Sequence, residues 1–286
     1  MISAARTLFR YLGTVLRADL KTRRWHGQAV LHDLWMRELR SARHEEPGRL
    51  TKYGAKTYSQ FDEDGIIAEI FKRIGPQHRT FIEIGVGDGT ECNSLQLLAE
   101  GWRGAWVEGS DAFVRKIGRI HDSSIRSGAL RVGESMVTAE NVNGVIRDLD
   151  VGLVDMLSID IDGNDYWVWR AIDSIQPRLV VIEYNAAWRP PLSVAVPYRA
   201  NRTWDGSNYF GASLEALATL GQRKGYRLVG CNLAGTNAFF VHEDLWTKDL
   251  FLSDCSASNC YEPPRYYLTA LQAGHPPGAG PLERIS

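Results

Sequence analysis

Residues 81–90 have the sequence FIEIGVGDGT, in which a short apolar run leads directly into three alternating glycines. The apolar run is typical of a buried parallel strand. Glycines are favoured after such a strand, because the backbone there turns tightly and approaches a ligand closely. The segment therefore predicts a strand that ends in a ligand-binding loop.

Short apolar runs alternate with helix-sized segments along the rest of the chain. Further apolar runs predict buried strands at Ala105–Val107, Met156–Ile161 and Leu179–Ile182. Helix-sized segments lie between them, at Glu91–Glu100, Ala112–His121, Ala139–Leu149 and Tyr166–Ile172. Strands that alternate with helices form right-handed crossovers, so we expect a doubly wound α/β sheet. The runs Tyr226–Cys231 and Thr236–Val241 flank a short turn and predict an antiparallel hairpin at one sheet edge.

Three regions of different character give the predicted domain organisation. Residues 1–48 form a helical extension, residues 49–272 the α/β domain, and residues 273–286 a Gly- and Pro-rich tail that we expect to be disordered. Apolar residues from Ile2 to Leu20 recur at helical spacing beside Arg6, Arg10, Arg17 and Lys21. Such a basic amphipathic helix suits the surface of an anionic membrane, a second subunit in a homo-oligomer, or the helix's own domain.

Composition excludes several classes of protein. The chain has 286 residues, with 33 Lys and Arg against 34 Asp and Glu, so its formal net charge is −1. A dedicated nucleic-acid-binding protein normally carries a basic excess, and we expect no nucleic-acid partner. No apolar run approaches the roughly 18 residues of a membrane span. We therefore expect a cytoplasmic protein, with the inner face of the membrane as a further location if the first helix binds lipid.

Two acidic residues sharpen the interpretation of the glycine loop. Glu83 lies two residues before the first glycine, where its carboxylate can organise the loop or help to receive an ammonium group. Glu108 ends the second predicted strand, where an acid can accept hydrogen bonds from both ribose hydroxyls of a nucleotide. Thr90 stands where a dinucleotide-binding fingerprint would have its third glycine. The pattern favours a nucleoside-containing ligand other than a dinucleotide.

Together with the glycine loop, two segments resemble the class I S-adenosylmethionine-dependent methyltransferases, and among them the FkbM-type sugar O-methyltransferases. They are residues 59–67, SQFDEDGII, and residues 157–167, LSIDIDGNDYW. The resemblance implies a seven-stranded, Rossmann-like sheet and S-adenosylmethionine as cofactor. It also implies transfer of a methyl group to a sugar hydroxyl of a glycan, glycolipid or glycosylated metabolite. The predicted cofactor-binding residues are Glu83, Gly85, Gly87, Gly89, Thr90, Glu108, Glu134, Ser135 and Asp160.

A set of polar residues follows the fourth and fifth strands, and we expect it to converge at one edge of the sheet. Carboxylates that meet there would repel one another, and a hard divalent cation such as Mg²⁺ would relieve the repulsion. The predicted metal ligands are Asp160, Asp162, Glu183 and Asn185. Related O-methyltransferases carry an adjacent pair after the fifth strand, whereas Tyr184 separates the pair here. The alternative is a side-chain base, and Asp160, Asp162 and Asp165 are the predicted catalytic residues, with Asp165 also a candidate helix cap.

The segment Ala186–Phe210 is the candidate acceptor-binding insert. Its length is unusual for a connection in a compact domain, and such loops are commonly lids or binding segments. It contains Trp188, Trp204 and Tyr209 among several arginines, a mixture that suits a sugar. Two other functions stay open at this stage: an NAD-dependent oxidoreductase, and a non-catalytic binding module built on the methyltransferase fold.

Overall fold

The computed structural model describes residues 2–267 and 274–286, and side chains from Asp19 onward within those ranges except Leu20 and Arg24. The strands are β1 Thr80–Ile84, β2 Arg103–Glu108, β3 Leu130–Glu134, β4 Met156–Ile159, β5 Leu179–Glu183, β6 Val194–Ala195, β7 Tyr226–Cys231, β8 Asn237–His242 and β9 Glu283–Arg284. The helices are α1 Ile2–Leu39, α2 Ala42–Glu45, α3 Glu63–Ile74, α4 Leu95–Ala99, α5 Asp111–Ile120, α6 Asp122–Arg126, α7 Val142–Leu149, α8 Asp165–Ala171, α9 Leu214–Arg223 and α10 Ala257–Cys260.

Seven strands form the central sheet in the order β3-β2-β1-β4-β5-β8-β7. The first five of these pair in parallel. Strand β8 inserts between β5 and β7 and runs antiparallel to both. This order, with one reversed strand near an edge, is the Rossmann-like methyltransferase fold, and it confirms the predicted doubly wound sheet with a C-terminal hairpin.

Both faces of the sheet are covered by helices, which explains why its strands are apolar almost throughout. Successive side chains of a strand point to opposite faces. Phe81 accordingly packs in one hydrophobic cluster with Trp106 and residues of α3, whereas Ile82 packs in the other with Trp169 and residues of α9. The rigid sheet fixes where each strand ends, and therefore where the polar residues after the strands lie.

The extension at the start of the chain is dominated by one long helix. Helix α1 has 38 residues and continues well beyond Leu20, where the predicted amphipathic pattern ends. None of its described side chains belongs to either hydrophobic cluster. Its end is fastened to the domain by an ion pair between Glu38 and Arg265 at 2.6 Å. Among the described residues, no helix combines the length and apolar character needed to cross a bilayer.

The expected disorder of the tail is wrong for residues 274–286, while Ala273 lies outside the described residues. Strand β9 pairs with β6 of the insert, and the amide of Ile285 donates to the carbonyl of Ser193 at 3.1 Å. The amide of Gly278 donates to Oδ1 of Asn208 at 2.7 Å. A Gly- and Pro-rich composition indicates that a segment has no hydrophobic core of its own. It carries no information about whether a distant loop forms hydrogen bonds with the segment's backbone.

Candidate active site

A cleft runs across the carboxyl ends of the central strands and has two lobes. The acidic lobe has a volume of about 440 Å³ and is lined by Glu83, Asp88, Glu91, Asp160, Asp162 and Glu183 among other residues. The apolar lobe has a volume of about 400 Å³, with Val107, Phe113, Met136 and Val137 in its wall and Glu108 beside them. The lobes meet at the glycine loop, since Gly85 and Gly87 line both.

Gly85 is required by its position between two strand ends. Its φ is +85°, and a Cβ atom there would lie 1.7 Å from the carbonyl oxygen of Asp160. Its amide donates to the carbonyl of Val107 at 2.9 Å, which closes the loop onto β2. Gly87 also has a positive φ, +55°, but a Cβ atom there would meet open space. The bare backbone of the loop is thus exposed to a ligand.

Gly89, by contrast, faces away from the cleft. A Cβ atom at Gly89 would press on Trp106 and Ile117 at 3.0 Å, so this glycine serves packing. His121 forms a hydrogen bond with the same residue, and its Nε2 atom lies 2.8 Å from the Gly89 carbonyl oxygen. Gly89 therefore lines neither lobe, whereas Thr90 lines the acidic lobe.

Glu83 organises the loop between β1 and α4. The side chain is 2% exposed. Its carboxylate accepts hydrogen bonds from the amides of Asn93 and Ser94, both at 2.8 Å, and from the Ser94 hydroxyl at 2.5 Å. Burial raises the pKa of Glu83, and these hydrogen bonds act in the opposite direction. Because they hold residues 85–94 as a loop, α4 begins at Leu95 and not at the predicted Glu91.

Glu108 stands at the end of β2, as predicted, and faces the apolar lobe. One carboxylate oxygen accepts from the amide of Gly87 at 2.9 Å and the other from the amide of Ser110 at 2.9 Å. Its neighbour in register on β3 is Glu134. Glu134 is exposed and lies outside both lobes, because β3 is the edge strand, whereas Ser135 does line the apolar lobe. The structure therefore places Ser135 at the predicted cofactor site, and Glu134 apart from it.

Three carboxylates meet at the ends of β4 and β5. Asp160, Asp165 and Glu183 each place an oxygen within 4.8 Å of the other two. Burial raises the pKa of Asp160 and of Glu183 well above the usual range, and the like charges around them raise both further. One oxygen of Glu183, Oε2, is buried without a hydrogen-bond partner among the described residues. Hard oxygen donors of this kind suit either a divalent cation or a proton shared within the cluster.

Asp165 differs from the other two because the loop before α8 uses both of its oxygens. They accept from the amides of Ile161 at 2.8 Å and Gly163 at 2.9 Å. The side chain is fully buried, and burial raises the pKa of Asp165 to about 6. Asp165 thus positions the turn that carries Asp160 and Asp162. Asp162 is exposed at that turn and lines both lobes.

Asn185 does not join the carboxylates, so the predicted set of four metal ligands is not assembled. Its amide nitrogen donates to the carbonyls of Asn208 at 2.8 Å and Phe210 at 2.9 Å. Its side-chain oxygen accepts from the amide of Ala187 at 3.0 Å. The chain leaves the sheet after Glu183, and Asn185 anchors both ends of the insert there.

The outer wall of the acidic lobe comes from segments far apart in sequence. Trp204 of the insert, Tyr266 and His275 all line it. The rings of Trp204 and His275 meet edge to face at 4.6 Å between centroids. Sequence analysis included Trp204 within the insert but missed the other two. The sequence around Tyr266 and His275 has no motif that would predict a place in the cleft. Their rings reach it only because loops distant in sequence contact one another.

The segment at residues 59–64 forms another part of that wall and is held by its own acidic residues. Glu63 accepts hydrogen bonds from Asn232 at 2.8 Å and Asn237 at 3.0 Å, which fastens the β7–β8 turn to α3. Asp64 accepts from three consecutive amides, beginning with that of Thr57 at 2.7 Å. Phe61 is thereby placed in the acidic lobe. The segment that resembles the FkbM-type enzymes in sequence thus forms part of the cleft wall.

Comparisons with known proteins add solved structures of similar fold. No protein-family model matches the chain, and no curated protein matches it in sequence. Magnesium protoporphyrin IX methyltransferase from Synechocystis PCC 6803, with bound SAH, is 10% identical over 63% of this chain and 81% of that chain, with a TM-score of 0.43. An S-adenosylmethionine-dependent methyltransferase from Clostridium acetobutylicum is 9% identical over 62% and 89%, with a TM-score of 0.39. The glycopeptide N-methyltransferase MtfA, complexed with sinefungin, is 12% identical over 61% and 84%, with a TM-score of 0.39.

Proposed function

We propose that this protein is an S-adenosylmethionine-dependent O-methyltransferase that methylates a sugar hydroxyl of a glycan, glycolipid or glycosylated metabolite. The observation that carries the proposal is the two-lobed cleft on the glycine loop, with one apolar lobe beside Glu108 and one acidic lobe at the ends of β4 and β5. The apolar lobe suits an adenosine moiety. Phe113 and Met136 offer apolar surface for the base, and Glu108 offers acceptors for the ribose hydroxyls.

The charge of the acidic lobe favours this cofactor over a dinucleotide. S-adenosylmethionine supplies a methyl group on a positively charged sulfonium, and its amino-acid end carries an ammonium group. Carboxylates such as Glu83, Asp160 and Glu183 attract such charges and would repel a pyrophosphate. The usual pyrophosphate site at a helix N-terminus is also missing beside the glycine loop, because α4 has five residues and begins at Leu95. The alternative of an NAD-dependent oxidoreductase is disfavoured on both grounds.

The acceptor would lie in the acidic lobe, between the carboxylates and the aromatic wall of Trp204, Tyr266 and His275. Aromatic faces suit the C–H faces of a sugar, and the carboxylates suit its hydroxyls. Acidic walls also disfavour an anionic acceptor, so we expect a neutral sugar at the point of reaction. Methyl transfer is a direct displacement, and the protein contributes mainly alignment and the exclusion of water.

The raised pKa values of Asp160 and Glu183 support a role in accepting the proton of the acceptor hydroxyl. A carboxylate of raised pKa is a stronger base than an ordinary one once it is ionised. A divalent cation is the alternative, held by Asp160, Glu183 and the remaining lone pairs of Asp165, and it would supply positive charge beside an acceptor oxygen. Methyl-transfer activity measured with and without a chelator distinguishes the side-chain base from the divalent cation.

The first experiment measures cofactor binding by calorimetric titration of S-adenosylmethionine into metal-stripped protein. We expect saturable binding by the wild type and a loss of at least about 100-fold in Glu108→Ala, since the variant loses charge-assisted hydrogen bonds to the ribose. Glu134→Ala is the matched control, because Glu134 lies beside Glu108 in register but outside the cleft, and it should bind like wild type. Wild-type affinity in Glu108→Ala would overturn the ribose assignment.

The second experiment measures transfer of labelled methyl groups to a panel of neutral sugars and glycosides, with product structure determined by NMR. An O-methyl product formed in excess chelator supports a side-chain base, and activity restored only by Mg²⁺ supports the cation. Cofactor binding without transfer to any acceptor would favour the non-catalytic binding module instead.

A further inference from the structure

We infer that the indole ring of Trp204 contacts the sulfonium of bound S-adenosylmethionine and makes the site prefer this charged cofactor over its neutral product, an inference that rests on the proposed function. A cofactor with its adenosine in the apolar lobe must direct its methyl group toward the acceptor in the acidic lobe. Its sulfur therefore lies at the junction, where the two lobes meet. The side chains at this junction decide how the positive charge is received.

The junction is defined by the residues that line both lobes, which are Gly85, Gly87, Asp160, Asp162 and Trp204. The glycines present backbone, and the aspartates present negative charge. Trp204 is the one aromatic side chain at the junction in the part of the chain that the structure describes. Among aromatic rings the indole attracts cations most strongly, when they lie over its face within about 6 Å of the centroid. Trp204 therefore offers a contact that distinguishes a sulfonium from an uncharged sulfur.

Local hydrogen bonds hold the Trp204 ring in place. Its Nε1 atom donates to the carbonyl of Ser207 at 2.8 Å, and the amide of Ser207 donates to Oδ1 of Asp205 at 2.9 Å. The side chain is nevertheless 39% exposed, so part of the ring is accessible to a ligand. Because the only N–H group of the indole is already used, the ring offers the cleft its π-surface and not a hydrogen bond.

The segment that carries Trp204 packs on the turn between β4 and α8. The side-chain amide of Asn164 donates to the carbonyl of Arg199 at 2.8 Å. A Cβ atom at Gly163 would lie 2.7 Å from Cδ of Arg202, so the glycine leaves room for that side chain to pack on the turn. The same turn carries one of the two junction aspartates. The insert thus brings an aromatic ring to the place where the positive charge of the cofactor is expected.

Methyl transfer removes the charge that this contact recognises. The acceptor oxygen supplies the electron pair of the new O–CH₃ bond, the pair of the broken S–CH₃ bond stays on sulfur, and the hydroxyl proton passes to the base. S-adenosylhomocysteine is consequently an uncharged thioether at this position, and the cation–π attraction is absent from the product complex. The contact therefore favours exchange of the spent product for fresh cofactor.

Calorimetric titration with three ligands tests the inference: S-adenosylmethionine, S-adenosylhomocysteine, and sinefungin, in which a carbon bearing an ammonium group replaces the sulfonium. Trp204→Leu should weaken binding of S-adenosylmethionine about fivefold more than binding of S-adenosylhomocysteine. Sinefungin should follow S-adenosylmethionine, because it is also positively charged. Trp204→Phe should show a smaller effect, since a phenyl face attracts cations less strongly than an indole but more strongly than an aliphatic side chain.

Trp188→Leu is the matched control, because Trp188 belongs to the same insert but lines neither lobe, and it should leave the ratio of the affinities unchanged. Thermal unfolding of each variant verifies that the domain is intact. Equal losses for the charged and uncharged ligands in Trp204→Leu would mean that the ring only fills space, which overturns the inference and leaves the cofactor assignment intact. Failure of the wild type to bind any of the three ligands would instead overturn the proposed function, and this inference with it.

Discussion

Glu183 occupies a position that we expect to lower the stability of the fold. One of its oxygens is buried without a hydrogen-bond partner among the described residues, and the carboxylates of Asp160 and Asp165 lie close by. Burying an unpaired polar atom costs about 1–3 kcal/mol, and more for a charged group. Such costs are common where a site is arranged for chemistry rather than for stability. The strain of the cluster is therefore an indication of function.

We predict that Glu183→Gln is more stable than wild type at pH 8, by about 1–3 kcal/mol, because the amide can donate to a neighbouring carboxylate. The pKa of Glu183 is raised in the folded state, so between its ordinary pKa and the raised one the folded protein binds more protons than the unfolded chain. Wild-type stability should consequently fall as the pH rises through that window. Glutamine does not titrate, so the advantage of the variant should grow from pH 5 to pH 8.

Thermal unfolding in excess chelator, at pH 5, 6, 7 and 8, measures this difference without a cation in the site. Glu134→Gln removes an exposed carboxylate and serves as the control, with little expected change in stability. A difference between Glu183→Gln and wild type that does not vary with pH would contradict the assigned cause.

Among the elements, the segments that enclose the acidic lobe have little regular structure and depend on hydrogen bonds to other parts of the chain. The insert is held at its base by Asn185 and along its length by residues 274–286. The amide of Asn208 donates to the carbonyl of Pro276 at 2.9 Å, and β6 pairs with β9. Each such bond contributes about 1 kcal/mol, so together they can decide whether the insert stays closed.

We predict that removing residues 276–286 increases tryptic cleavage of the insert at Arg199 and Arg202 by tenfold or more, since the loop loses several backbone partners. Affinity for S-adenosylmethionine should change by less than about threefold, because the apolar lobe contains no residue of the removed segment. Arg284→Ala is the control: it alters an exposed side chain and leaves the backbone pairing of β9 intact. Equal cleavage rates in the truncated and intact chains would show that the segment does not hold the insert.

At the scale of the whole molecule, the side chains that the structure describes along the long helix take no part in the core. The two hydrophobic clusters are built from the sheet and the helices that flank it, from Leu50 onward. Along α1, the exposed Trp25, Val30 and Leu34 add nothing to that core. Most of the stability of the domain should therefore be independent of the first three quarters of this helix.

We predict that deleting residues 2–30 changes the midpoint of thermal unfolding by less than about 3 °C, which corresponds to about 1 kcal/mol for a chain of this size. Differential scanning calorimetry of the two chains measures the change, and affinity for S-adenosylmethionine should be the same in both. A fall of 10 °C or more would mean that the deleted residues contribute to the packing of the domain, in contrast to the exposed Trp25 and Val30.

Local sequence alone determined the sheet and the loop at its centre. The apolar runs fix β1, β2, β4 and β5 because a strand buried on both faces has few other compositions open to it. The glycine at position 85 is dictated by the approach of the Asp160 carbonyl, and Glu108 follows from its place at a strand end. These features depend on contacts between neighbours in sequence or in the sheet, so a pattern of a few residues is enough to reveal them.

Only the tertiary structure decided which polar residues share the cleft. Gly89, Glu134 and Asn185 have the residue types and spacing of site residues, yet the fold turns one toward Trp106, places one on the edge strand and uses one to anchor the insert. His275, in a tail without any pattern, is instead brought against Trp204. The physical reason is that loops are held by a few hydrogen bonds and ring contacts between segments far apart in the chain. The periodicity of a sequence indicates which residues are buried, but not which distant residues they contact.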